Sequence, residues 1–172
     1  MLQVNHLIGF GAYQAGGAAT GAEIDRTLGT NIGDMSANGG LAASFDGTTN
    51  QAAAACSRTA TSVSNAYIGK TGNISRIISK ATIHGSNNLG YNDNAVGTSC
   101  TAKLYAKTGA APANGTDGTL LGSITFTQSA DESAGRDITS SDTSTLWAHW
   151  WIYHTQAGAA NNISNAEARF FE

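Results

Sequence analysis

Apolar and polar residues alternate in short runs along this chain, and no long stretch repeats at helical spacing. In 74–84, Ile77, Ala81 and Ile83 share one parity, with Ser79 between them, against Arg76, Lys80 and Thr82. Ala102, Leu104 and Ala106 oppose Thr101, Lys103, Tyr105 and Lys107, and Leu120, Ile124 and Phe126 oppose Ser123, Thr125 and Thr127. In 163–171, Ala166, Ala168 and Phe170 fall on one side. Successive strand side chains point to opposite faces, so each run predicts a strand with one face on a core. Turn-rich segments separate the runs: 85–93, 109–118 with Pro112 and Asn114-Gly115, and 131–142. The pattern predicts an all-β chain, an antiparallel sandwich or jelly roll.

The segment 146–155 is the most aromatic. Even positions carry Leu146, Ala148, Trp150 and Ile152; odd ones carry Trp147, His149, Trp151 and Tyr153. Bulk on both parities means either a central strand or a strand that displays aromatics on its outer face.

With 172 residues the chain is long enough for one domain with a real core. Charged residues are 12% and the net charge is −3, without any Lys/Arg cluster, so neither nucleic acid nor an anionic membrane surface is an expected partner. Cys56 and Cys100 lack zinc-ligand spacing and read as buried small residues or as a disulfide pair. Residues 1–22 carry no charge, yet they lack the positive start of a signal peptide, and glycines and polar residues interrupt any membrane span. Within them Leu7, Ile8, Phe10 and Tyr13 form a bulky apolar cluster, followed by a small-residue spacer over 14–21. Such a patch reads as an arm that docks on a larger assembly, or as an extra strand of its own domain.

Phe45-Asp46-Gly47, followed by Thr48, Thr49 and Asn50, is a strong turn signal. A carboxylate held there beside exposed carbonyls also has the chemistry of a hard-cation site.

Asn31-Ile32, Phe45-Asp46-Gly47, Tyr67-Ile68-Gly69-Lys70, Ile83-His84-Gly85-Ser86, Leu104-Tyr105 and the closing Ala166-Glu167-Ala168-Arg169-Phe170-Phe171-Glu172 together resemble the discoidin group, the coagulation-factor C-type, galactose-binding-like jelly rolls. The resemblance covers 29–172 and leaves 1–28 as an N-terminal arm or anchor. In particular, the chain is similar to discoidin-like domains of phage and gene-transfer-agent virion proteins. There, a short N-terminal segment fixes the module to the particle. The resemblance implies a structural calcium ion beside the Asp-Gly loop. Asp46 and Glu167 would supply carboxylates, backbone carbonyls near Ala43, Thr48 and Ala166 would fill the shell, and the Gln51 side chain could join them. Gln51 stands where the family often has Thr, and the Trp that often follows is missing. The alternative is that Glu167 pairs with Arg169 or Arg26 on the surface.

Sugar binding in such modules stacks aromatic faces on sugar rings and uses Asn, Asp and His for the hydroxyls. The candidates are Tyr91 with Asn87, Asn88, Asn92 and Asp93 in one loop, or an ordinary surface tyrosine there, and the Trp147/Trp151 parity with His149 in a second patch, with core packing as the alternative for the tryptophans. Catalysis is not expected. Asp131 and Glu132 are adjacent and would face opposite ways on a strand, and no nucleophile elbow, zinc helix or phosphate loop is present. The expected function is therefore a non-catalytic virion adhesion module (spike, fibre or decoration) that attaches to host-surface polysaccharide. It would be present in many copies and held to other virion proteins through Leu7, Ile8, Phe10 and Tyr13. The alternative is a purely structural capsid or tail decoration protein without a ligand.

Overall fold

The computed structural model describes residues 21–87, 90–91, 96–157 and 161–172. The apolar cluster Leu7, Ile8, Phe10 and Tyr13 lies outside these residues.

Among the described residues eleven strands form: β1 (Thr30–Gly33), β2 (Ala37–Asn38), β3 (Ser57–Arg58), β4 (Asn65–Arg76), β5 (Lys80–His84), β6 (Ser99–Lys107), β7 (Thr119–Thr127), β8 (Arg136–Thr139), β9 (Trp147–Gln156), β10 (Ser164–Asn165) and β11 (Glu167–Phe171). They assemble into a five-stranded sheet, β1-β4-β9-β6-β7, a three-stranded sheet, β11-β5-β8, and a small sheet, β10-β3-β2. All pairings between these strands are antiparallel.

The two larger sheets enclose the core. Ile68, Ile152 and Leu104 lie side by side across β4, β9 and β6, all fully buried. Ala81, Ile83, Ile138, Ala168 and Phe170 belong to the same core from the three-stranded sheet. Trp150 meets Phe170 edge-to-face with centroids 6.4 Å apart. Burial of such large side chains contributes about 1.5–3 kcal/mol each.

β9 is the middle strand of the large sheet, paired on both edges, and most of its residues are buried. On the outer face the register aligns Tyr67, Tyr153 and Lys103 in one row, and Gly69, Trp151 and Tyr105 in the next. The loop between β6 and β7 lies over these aromatics. Trp151 Nε1 donates to the Gly115 carbonyl at 2.8 Å, and the Tyr105 ring stacks on Trp151 at 5.9 Å. Gly115 must be glycine, since a Cβ there would stand 2.4 Å from the Tyr153 ring.

Three local expectations change. The run over 74–84 is not one strand: β4 ends at Arg76, and Ile77 and Ile78 are both buried before β5 begins. In β7 it is Leu121 that is buried, while Leu120 is 47% exposed. The β6–β7 register jumps from Leu104↔Gly122 to Tyr105↔Leu120, so Leu121 is the extra residue of a bulge, and bulges reverse which residue faces inward. Residues 21–28, assigned by sequence to the arm, lie against the domain. Glu23 bridges Phe171, the Ile24 N–H donates to the Phe170 carbonyl, and Ile24 is buried in the core.

Candidate functional site

The Asp46 turn follows a 3₁₀ turn, Leu41–Phe45, whose last residues are buried. Gly47 takes φ +89°, which glycine tolerates without strain, and the Thr48 N–H donates to Asp46 Oδ1 at 2.8 Å. Gln51 then folds back beneath the turn. Its Nε2 lies 2.9 Å from both Asp46 carboxylate oxygens, 3.2 Å from the Thr48 carbonyl and 3.4 Å from the Ala43 carbonyl.

An amide nitrogen carries two protons and here faces four oxygen acceptors, while Gln51 Oε1 is buried without a partner. The nitrogen sits at the focus of an oxygen-only shell. Calcium takes such ligands at about 2.3–2.6 Å, so contraction of this ring around a cation, with the Gln51 amide reversed, would give five oxygen donors from four residues. Asp46, Thr48, Ala43 and Gln51 thus fit a hard cation. Among the described residues no cluster of three or more His, Cys, Asp or Glu stands at metal-binding range, so the formal charge of this shell is that of Asp46.

Glu167 lies beside the turn but is committed elsewhere. Its Oε2 accepts the Gly47 N–H at 3.1 Å and its Oε1 accepts from Arg26 at 3.0 Å, with Arg169 at 3.9 Å. The side chain is fully buried. Burial raises its carboxyl pKa, and the Gly47 amide and Arg26 oppose that rise. The Ala166 N–H donates to the His84 carbonyl at 2.7 Å, and Ser44 Oγ donates to the Asn165 carbonyl at 2.9 Å. The turn and the start of the last strand are therefore stitched together, with Glu167 as a fastener of the turn. Arg26, its main ionic partner, is one of the two arginines the sequence offered as an alternative to a cation, but the pair is buried on the Glu167 side rather than at the surface.

The predicted sugar contacts divide. Tyr91 is 2% exposed, its hydroxyl donates to the Ile83 carbonyl, and its ring lies against Phe126 and His154. A stacking platform needs a free face, so Tyr91 is a core residue and the expectation is corrected. Trp147 and His149 are buried as well. His149 is held by Thr71 and by the Gly109 carbonyl, under the β6–β7 loop. Asn87 is half-buried at the surface, and its N–H donates to the Gln51 carbonyl at 3.0 Å, which ties this loop to the cation cradle. Asn88, Asn92 and Asp93 lie outside the described residues. Cys56 and Cys100 are buried thiols that form no disulfide with each other, and burial pushes the Cys100 thiol up to about 11.

Glu132 does not stand ready for acid–base work. It is buried and bound by Arg136 at 2.6 and 2.8 Å. Burial opposes its ionisation, but Arg136 and Ser129 hold its pKa below the ordinary carboxylate value.

No protein-family model matches the sequence, and no curated protein sequence matches it. Solved structures do. A chitosan-binding module from a chitosanase/glucanase of Paenibacillus sp. IK-5 is 16% identical over 87% of this chain and 99% of its own, with a TM-score of 0.57. A family 32 carbohydrate-binding module from Clostridium perfringens, in complex with GalNAc-β-1,3-galactose, is 13% identical over 88% and 100%, with a TM-score of 0.59. A fucolectin from striped bass (Morone saxatilis) serum is 12% identical over 87% of this chain and 49% of its own, with a TM-score of 0.61. The chain has the discoidin-like, galactose-binding-like jelly-roll fold.

Proposed function

We propose that this chain is a non-catalytic carbohydrate-binding module, braced by a calcium ion in the Asp46 cradle and fixed to a virion by its N-terminal arm. The observation that carries the saccharide reading is the shared fold. The neighbours described above bind or are named for different sugars, yet each keeps this sandwich. The bound cation would be held by Asp46, the Ala43 and Thr48 carbonyls and the Gln51 amide oxygen. It would supply structural charge only. Through the hydrogen bond from Asn87 to Gln51, it would also brace the 85–94 loop, where Asn87, Asn88, Asn92 and Asp93 remain the proposed sugar contacts.

The virion placement rests on the apolar arm and on where it enters the fold. The Gly21 N–H donates to the Glu172 carbonyl, so the chain meets the domain beside the last strand. The test is a glycan array with the full chain, with calcium and with chelator. Saturable, calcium-dependent binding to one sugar class is expected. No binding at high protein concentration would overturn the saccharide reading in favour of a decoration protein. Incorporation of a chain lacking residues 1–20 into particles at full occupancy would overturn the docking arm.

A further inference from the structure

On the outer face of the five-stranded sheet, away from the cation cradle, a cleft of about 390 Å³ opens between Tyr67, Tyr153, Asp34, Asn65 and the 113–116 segment of the β6–β7 loop. We propose that this cleft is a second binding site, for a single neutral pyranose residue. It rests on the carbohydrate reading above for the ligand class alone, and its residues lie outside the 85–94 loop.

The floor is aromatic. Tyr67 and Tyr153 are cross-strand partners, and both rings are half-buried. The Tyr153 ring is held edge-on by Tyr105 at 6.3 Å and packed by Gly115 from above. Neither phenol hydroxyl has a hydrogen-bond partner among the described residues, and the Asn65 side chain has none either. Burial raises the pKa of both phenols, so they remain neutral donors at physiological pH.

One wall is a fixed loop. His149 Nε2 binds the Gly109 carbonyl, Trp151 binds the Gly115 carbonyl, and Asp117 accepts from Lys107 and from the Ala113 N–H. Asn114 Oδ1 accepts from the Thr116 N–H and hydroxyl, which leaves the Asn114 amide protons free. A short turn would be enough to join paired antiparallel strands. This chain instead lays a long loop along the tyrosines and pins it at both ends. A pre-built wall lowers the ordering cost of binding.

The opposite wall supplies charge. Asp34 uses Oδ1 to accept the Tyr67 N–H at 2.8 Å, so its Oδ2 is left for a ligand. A pyranose offers an apolar C–H face for the rings and hydroxyls that both donate and accept. The free phenols and amides, with one carboxylate, match that mixture. The same carboxylate would repel a uronic or sialic acid. The volume suits one sugar ring rather than a long chain, since small-molecule sites start at about 300 Å³.

The test uses the full chain with ring-¹³C tyrosine, titrated with methyl glycosides of galactose, glucose, mannose, fucose and N-acetylgalactosamine. Saturable shifts of the Tyr67 and Tyr153 ring signals with at least one glycoside, and static Tyr91 signals, are expected. Asp34→Asn keeps the Tyr67 contact and should weaken that binding by about three- to tenfold, the change from a charge-assisted hydrogen bond to a neutral one. If glycosides bind while the Tyr67 and Tyr153 rings stay still, the cleft proposal is wrong and the saccharide reading stands. If no glycoside binds, both fall. A proline-rich peptide moving these rings where no glycoside does would also overturn the pyranose assignment.

Discussion

Glu167, the first residue of β11, accepts a hydrogen bond at 3.1 Å from the N–H of Gly47, 120 positions earlier in the chain. Its other oxygen accepts from Arg26. One buried carboxylate thus joins the entry segment, the Asp46 turn and the final strand. Glu167→Ala should destabilise the fold by about 1–3 kcal/mol, because it removes the buried carboxylate that accepts from the Gly47 amide and from the half-buried Arg26 guanidinium. Glu167→Gln should cost less, as it retains an acceptor for Gly47. Urea titration of both variants decides this, and equal stability of Glu167→Ala and the parent would show that the fastener contributes nothing.

Calcium should raise the melting temperature, and chelation should lower it. A ligand that binds only the folded state stabilises it by about 2.7 kcal/mol at a hundredfold excess over its dissociation constant. Asp46→Asn removes the single formal charge of the shell and should abolish the calcium response while folding is retained. A melting midpoint indifferent to calcium in the parent chain would remove the cation from the cradle.

The strand character of the chain was legible because alternation is a local property, and β6, β9 and β11 fall where the pattern placed them. The Asp46 turn was legible for the same reason, since Asp-Gly encodes its own geometry. What was hidden depends on pairing. Tyr67 and Tyr153 become neighbours only through the β4–β9 register, and no spacing in the sequence announces it. Tyr91 sits in a polar, glycine-rich run that reads as surface, yet its ring fills a gap between Phe126 and His154. Burial of a loop aromatic is decided by what packs above it. Glu167 lies beside the turn, and its choice of Arg26 over Arg169 as the nearer partner depends on the position of 21–28.

The β7 bulge gives a direct contrast between adjacent leucines. Leu121 is 1% exposed and Leu120 is 47% exposed, the reverse of simple alternation counted from Ile124 and Phe126. Leu121→Ala should cost about 2–5 kcal/mol, the range for a leucine cut from a packed core, whereas Leu120→Ala should change stability by less than about 0.5 kcal/mol. Chemical denaturation of the pair reads the register: comparable losses, or a larger loss at Leu120, would mean that the strand is paired without the bulge.

Acid should unfold this protein partly through His154. Burial lowers its pKa to about 4, with the Asn165 side chain opposing, and its ring lies within the core beside Tyr91. His84 is shifted in the same direction, again mainly by burial. For a histidine with a depressed folded-state pKa, the unfolded chain binds the proton more readily. The stability it contributes is therefore complete above about pH 6.5 and is lost as pH falls towards 4. The full difference for His154 is about 3 kcal/mol, from about 1.4 kcal/mol per pH unit. Glu167 works against this trend, since its raised pKa lets the folded state take up a proton more readily than the unfolded one. His154→Gln removes the histidine proton from the balance. Between pH 7 and 4 its unfolding free energy should fall less steeply than the parent's, by up to one proton's worth of slope. Parallel curves for the two proteins would mean that His154 already carries its proton in the folded core.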